Sequence, residues 1–317
     1  MPEDDDPQSP LLLAGPTAVG KSEVALLLAG RLGGEIISVD SMQVYRGLDI
    51  GTAKPSAAER HRVPHHLIDI IGLRESFDAA HFCELARQAV AEIQGRGRRP
   101  ILCGGTGLYF KAFLDGLGDS PPASPALRAE LERISLPELL HELKQRDPAT
   151  YECIDRQNPR RVVRALEVIR LTGRPFSDQR AAWREGSPAS AVFALRRNPD
   201  DLRARIDARV DRMFQEGLVR ETESLLGHGL EQNRTAMQAL GYRQVVEHLR
   251  GVRPLADTIA EVKRRTWQFA RRQMTWLRNQ LPVRWIDVGP EERAESVVDR
   301  IEAGFAADSG SGSRPRK

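Results

Sequence analysis

The sequence predicts an α/β protein, a parallel sheet flanked by helices and carrying a helical insertion. Three observations support this. Short apolar runs alternate with helical patterns through the N-terminal third. The first run, Leu11-Leu12-Leu13-Ala14, leads directly into Gly15-Pro16-Thr17-Ala18-Val19-Gly20-Lys21-Ser22, which fits G-x-x-x-x-G-K-[ST] and opens a helical stretch. From about residue 116 to 190 the alternation stops, and only amphipathic helical patterns remain. The core is therefore P-loop NTPase-like.

Taken in order, Leu11–Ala14, Glu35–Val39, His66–Ile70 and Pro100–Cys103 read as strands, separated by helices over Ser22–Leu32 and Asp78–Gln94. Strands alternating with helices make a parallel sheet. Pro121, Pro122 and Pro125 form an entry hinge to helices over Ala126–Arg133, Leu136–Arg146 and Asn158–Leu171. Ala191–Leu195 returns to the sheet, followed by helices Asp200–Gln215, Gly217–His228 and Leu255–Asn279 and a last strand, Val283–Val288. The expected organisation is thus 1–115 as the first part of the core, 116–190 as the insertion, 191–307 as core completion with C-terminal helices, and 308–317 as a disordered Ser/Gly-rich tail.

Composition excludes several classes. Cys83, Cys103 and Cys153 are far apart and odd in number, which predicts reduced thiols in a cytoplasmic protein and no zinc site. No signal peptide is present, and no apolar run approaches the roughly 18 residues a membrane span needs. The net charge is only +3, but arginine is concentrated around 156–174 and 263–278, whereas Pro2–Asp6 is acidic.

The glycine-rich loop predicts a di- or triphosphate site. Backbone N–H groups of Gly15–Ser22 and the positive end of the following helix converge on an anion. Lys21 supplies a point charge, and the Ser22 hydroxyl is a candidate Mg²⁺ ligand.

Two further loops should share that rim, because ligands of open parallel sheets bind outside the carboxyl ends of the strands. The first is Ser38-Val39-Asp40-Ser41-Met42-Gln43-Val44-Tyr45-Arg46 with Asp49–Pro55. Here Asp40 either caps a helix starting at Ser41 or stands as base or Mg²⁺ partner beside a phosphate-bearing substrate. Gln43 either reads a base edge or packs. The second is Gly104-Gly105-Thr106-Gly107-Leu108-Tyr109, whose glycines fit either close approach to a ligand or a plain tight turn.

Arg160, Arg161 and Arg164 lie close together on one predicted helix, and Arg264, Arg271 and Arg278 recur every seven residues on another. A seven-residue period drifts only about 20° per repeat on a helix, so the second set forms a stripe. No acid lies between Lys263 and Arg278. An arginine face without counter-charges suits a polyanion such as a nucleic-acid backbone better than a solvated edge. Arg205 and Arg209, four apart, form either an anion clamp or a surface edge.

In order, over roughly residues 11–290, these segments resemble the bacterial form of the tRNA dimethylallyltransferase (tRNA isopentenyltransferase) family. The resemblance rests on the phosphate loop, Ser38–Arg46 with Asp49–Pro55, Gly104–Tyr109 and Asn158–Glu167. It continues through Leu240-Gly241-Tyr242-Arg243-Gln244 and Arg271–Arg278. Ser22 stands where many members have threonine, Gln238 and Ala239 depart from the usual residues, and the three cysteines predict no zinc-finger extension of the kind some eukaryotic relatives carry.

The resemblance implies transfer of a dimethylallyl group from dimethylallyl diphosphate to N6 of the adenosine 3′ of the tRNA anticodon, at position 37. It implies Asp40 as general base and Thr17, Lys21, Arg209 and Mg²⁺ at the diphosphate. It also implies tRNA contacts from Asp40, Ser41, Met42, Gln43, Thr106, Arg128, Arg160, Arg161, Val162, Val163 and Arg164. Gln238, Ala239, Leu240, Gly241, Tyr242 and Arg243 belong to the same set, with Arg271 and Arg278 as further contacts. The chain is expected to act as a cytoplasmic monomer on a flipped-out base. Three alternatives use the same core: a nucleotide or small-molecule kinase, an adenylate isopentenyltransferase, and an NTPase that binds nucleic acid.

Overall fold

A computed structural model describes residues 9–118, 120–179 and 192–310, with side chains through Phe305. The chain divides into two compact units, Met1–Phe113 with Pro188–Lys317, and Leu114–Ser187.

The first unit is built on six parallel strands: β1 (Leu11–Ala14), β2 (Gly34–Val39), β3 (His65–His66), β4 (Arg99–Gly104), β5 (Val192–Arg196) and β6 (Val283–Asp287). Their order is β3-β2-β4-β1-β5-β6, so the strand before the phosphate loop is central. Its helices are α1 (Lys21–Leu32), α2 (Ala57–Arg62), α3 (Ala79–Gly95) and α4 (Gly107–Asp115), the last running past the unit boundary. After β5 come α9 (Pro199–Glu216), α10 (Leu218–Leu226), α11 (Tyr242–Leu249), α12 (Leu255–Gln280) and α13 (Ala294–Gly310).

The second unit holds α5 (Pro125–Leu131), α6 (Leu136–Arg146), α7 (Pro148–Cys153) and α8 (Pro159–Thr172). Three of these begin with a proline preceded by a Ser, Asp or Asn N-cap, where the missing N–H costs nothing.

β1 is buried along its whole length, as an apolar run in a parallel sheet must be. Leu11, Leu13, Val24, Leu28, Ile206, Val210, Val262, Val297 and Ile301 form one core cluster, so α1, α9, α12 and α13 all pack with the central strand. Leu131, Leu139, Leu143, Val162, Leu166 and Ile169 form the core of the second unit.

Two expectations need correction. The strand expected over His66–Ile70 is only His65–His66. Leu67 and Asp69 adopt φ of 60° and 57°, which breaks extended backbone, and Asp69 instead pairs with Lys54 and Arg60. The tail expected to be disordered from 308 is helical through Gly310, as the end of α13; residues 311–317 lie outside the described residues, as do Pro2–Asp6. Helix α13 itself escaped the sequence reading, although Val297, Val298 and Ile301 bury one face of it.

Candidate active site

The parallel register gathers the site. Ala14 pairs with Gly104 and Ala194, and Val39 pairs with Gly104. The next residues, Gly15, Asp40 and Gly105, therefore leave the sheet at one level, beside Leu195 of β5. All three open the loops singled out in the sequence.

The phosphate loop is a strained turn. Ala18 holds φ of 64°, left-handed backbone that costs a residue with a Cβ about 1–2 kcal/mol. Three arginines from the far side of the chain brace it. Arg197 Nε donates to Val19 O at 2.9 Å, Arg205 Nε to Ala18 O at 3.0 Å, and Arg209 Nη1 to Thr17 Oγ1 at 3.2 Å. With carbonyls tied outward, and with no side chain capping the start of α1, the loop leaves N–H groups for an anion. The open choice for Arg205 and Arg209 is thereby settled: both reach the loop rather than solvent.

Electropositive groups crowd here without a full set of acids. Burial pushes the Lys21 ammonium down to about 8; Arg209 acts in the same direction and Asp40 against it. Its Nζ donates to Pro16 O at 2.6 Å. Burial likewise pulls the Arg209 guanidinium below its ordinary value, helped by Arg212 and opposed by Asp40. Desolvated cations of this kind gain most when an anion arrives. Cys103, whose thiol burial raises to about 11, stays a protonated wall residue.

Opposite the loop, Asp40 Oδ1 accepts from Met42 N at 2.8 Å and Gln43 N at 3.3 Å. This caps a turn, not the helix at Ser41 that was one reading of the sequence. Its second oxygen has no protein hydrogen-bond partner among the described residues. Thr106 fixes the same turn: its N–H donates to Val39 O at 3.2 Å, and its Oγ1 accepts from Ser41 N at 3.2 Å.

These groups line one cavity of about 540 Å³, together with Met42, Gln43, Met237, Leu240 and the α12 side chains Arg265, Gln268, Phe269, Arg272 and Gln273. A pocket of that size, part apolar and part charged, suits a small organic diphosphate plus a nucleobase. A divalent cation would be held by Ser22, exposed at the first turn of α1, together with oxygens of the ligand. Among the described residues no group of three or more His, Cys, Asp or Glu side chains could cage an ion by itself.

The IPP transferase family model matches residues 43–280. The chain belongs to that family. It is 44% identical over 306 residues to a tRNA dimethylallyltransferase of Thermomicrobium roseum, covering 95% of this chain and 92% of the relative. It is 45% identical over 283 residues to one of Geobacter metallireducens, covering 87% and 92%. Among solved structures, the full-length tRNA isopentenylpyrophosphate transferase of Bacillus halodurans aligns with a TM-score of 0.70 at 39% identity, covering 97% of this chain and all of that one. A eukaryotic dimethylallyltransferase captured acting on tRNA aligns with a TM-score of 0.79 at 26% identity, covering 98% and 81%.

Of the residues the family resemblance marked, Thr17, Lys21, Ser22, Asp40, Ser41, Met42, Gln43, Thr106, Arg209, Gln238, Ala239, Leu240 and Arg243 line this cavity. The Gln43 amide already bonds to the protein through both its oxygen and its nitrogen. Its Oε1 accepts from Ser38 Oγ at 2.8 Å and its Nε2 donates to Thr52 O at 3.2 Å, tying two loops together. Tyr242 is fully buried, donates to Glu221 Oε1 at 2.6 Å and accepts from Gly51 N, so it shapes the loop after Asp49 instead of touching a partner. Gly241 adopts φ of 96°, beyond the easy reach of other residues, at the entry to α11.

In the second unit, Val162 and Val163 are core residues, and only Arg160 and Arg161 of that cluster are exposed. Arg128 and Arg164 both bind the fully buried Glu167, at 3.0 and 2.6 Å. On α12, Arg271 and Arg278 are exposed and have no ion pair among the described residues, but Arg264 is paired with Glu261 at 2.7 Å. The acid-free interval began two residues too late to include Glu261. The cavity-facing side of the helix is the adjacent one, carrying Arg265 and Arg272.

Sequence reasoning missed Arg197, Glu221 and Gln273. Arg197 was within reach, since it directly follows β5 on the rim that located Asp40. Glu221, which accepts from Ile50 N at 2.9 Å, carries no local signal, whereas Gln273 lies inside the Arg271–Arg278 segment but was not singled out there.

Proposed function

We propose that this chain transfers the dimethylallyl group of dimethylallyl diphosphate to N6 of an adenosine in tRNA, at the position 3′ of the anticodon, with Asp40 as general base. The observation that carries this reading is a carboxylate with one unengaged oxygen in the same cavity as the phosphate loop, Lys21, Thr17 and Arg209. tRNA as substrate agrees with the relatives' names and with the exposed Arg271 and Arg278, which have no ion pair among the described residues.

In the reaction, the allyl C1–O bond of the donor breaks and the C1–N6 bond forms, and the N6 proton goes to Asp40. An exocyclic adenine amine is a weak nucleophile, so removing its proton as the bond forms lowers the barrier. Diphosphate leaves with added charge, which the loop N–H groups, Lys21 and the Thr17-bound Arg209 stabilise in place. Mg²⁺, held by Ser22 and the diphosphate, would supply further neutralisation. The adenine must leave its stack to enter a cavity of this depth, and phosphate contacts from the arginine surfaces would set its register. The chain would act as a monomer in the cytoplasm, where its RNA is.

The test is to incubate the protein with labelled dimethylallyl diphosphate, Mg²⁺ and unmodified tRNA, with ATP and AMP as competing acceptors. Label appearing in tRNA alone supports the reading. Label in AMP assigns an adenylate isopentenyltransferase, and ATP turnover without tRNA assigns a kinase.

A further inference from the structure

Gln273, on α12, makes two hydrogen bonds with one amide. Its Oε1 accepts from Thr17 N in the phosphate loop, and its Nε2 donates to Gly105 O in the loop after β4, both at 2.9 Å. The two partners lie 256 and 168 residues away in sequence. The hydrogen bonding continues on both sides. Thr17 Oγ1 accepts from Arg209, while Gly105 is followed by Thr106, which holds the Ser41 N–H beside Asp40.

The space at Gly105 is made for this amide. A Cβ there would stand 2.3 Å from Gln273 Nε2 and 3.3 Å from Gly15 O. Gly107 is equally cramped, its Cβ position lying 2.0 Å from the Trp276 ring. At Gly105 and Gly107 the absent Cβ thus allows the close approach of α12.

We infer that Gln273 is a positioning residue that sets the separation between the phosphate loop and the loop carrying the general base, and so aligns donor with acceptor. This rests on the proposed transfer reaction. A side chain with that role acts on the aligned complex more than on either substrate alone, because a displacement of about 1 Å between reacting groups can cost about 10²-fold in rate.

Three variants test this: Gln273→Met, which keeps length and removes both bonds; Gly105→Ala, which pushes the amide aside while the glutamine is retained; and the double variant. With saturating dimethylallyl diphosphate and tRNA, each single variant should lose about 10- to 100-fold in kcat, with each KM within about threefold of wild type. The double variant should be no worse than the poorer single one, since both remove the same strut. Gln273→Asn, too short to span both partners, should resemble Gln273→Met.

Amide hydrogen exchange reads the strut without any catalysis: in Gln273→Met, peptides covering 15–20 and 104–107 should both exchange at least about tenfold faster. The inference is overturned by unchanged kcat, by additive losses in the double variant, or by faster exchange in only one loop or neither. Should wild type put no label into tRNA, the transfer reading falls. The exchange experiment would still decide whether Gln273 ties the two loops.

Discussion

Two sets of arginines look alike in the sequence and differ in the structure. Arg160, Arg161 and Arg164 on α8, like Arg205 and Arg209 on α9, are basic residues at helical spacing. On α8, Glu167 stands three residues beyond Arg164 and is fully buried, so Arg164 turns inward and Arg128 joins it on the same carboxylate. On α9, the acids nearby are engaged elsewhere: Asp201 pairs with Arg197, and Asp207 faces Arg203. Arg205 and Arg209 have no acid of their own and end on the phosphate loop. Whether an unengaged counter-charge lies one helical turn away decides whether an arginine consolidates a core or turns to the loop.

That contrast can be broken most sharply at the cavity. Replacing Asp40 with Ala should lower kcat by roughly 10²–10⁴-fold, the usual scale for a general base, with tRNA affinity held within about threefold. A parallel loss of tRNA binding, measured by filter retention or anisotropy, would return Asp40 to its turn-capping role alone. Arg209→Ala should follow, losing about 10²–10³-fold in kcat as a donor aimed at developing charge is removed. If Arg209→Ala raised only the KM for the donor, Arg209 would be a ground-state binder.

The same contrast explains what the sequence could reveal. The loop Gly15–Ser22 was legible because its strand, turn and helix are adjacent in the chain, and the shared rim with Asp40 and Thr106 follows from parallel topology alone. Gln273 and Glu221 were not legible, because their meaning lies in partners more than 160 residues distant. Val162 and Val163 were misplaced for a related reason: a motif carries a whole segment, whereas helical periodicity buries part of it. The two-residue β3 eluded the pattern because side chains around Asp69, not local propensity, bend the chain.

On the paired side, Arg164→Ala should reduce stability. It strips the 2.6 Å bond from a fully buried carboxylate and a second bond to Pro121 O, worth about 2 kcal/mol by the scale of hydrogen bonds to charged groups. Thermal or urea unfolding checks this. A variant as stable as the parent, but with a shallower salt dependence of tRNA binding, would make Arg164 a phosphate ligand after all.

Lys21 supplies a pH test. Burial leaves its free ammonium near 8, so it carries a proton at pH 7 and loses it above 8. A bound diphosphate favours the proton, which raises the value in the complex. Between the free and bound values, the dissociation constant for dimethylallyl diphosphate should therefore rise with pH, by up to about tenfold per unit. Titration calorimetry from about pH 7 to 9.5 measures it, and Lys21→Arg should flatten the rise. A rise that persists in Lys21→Arg would assign the proton to another group.

The smallest effect should come from the exposed stripe. Arg271→Ala with Arg278→Ala removes two cations that have no ion pair among the described residues, so stability should stay within about 0.5 kcal/mol of the parent. An arginine that neutralises one phosphate of a single-stranded segment adds about 0.7 to the slope of log affinity against log salt. The double variant should therefore show a slope shallower by about 1.4 and tRNA binding weakened uniformly across tRNA sequences, with kcat unchanged at saturation. An unaltered slope would place the stripe with Arg264 and Arg265, which share Glu261, among locally neutralised arginines, and the polyanion surface would then contract to Arg272 in the cavity lining.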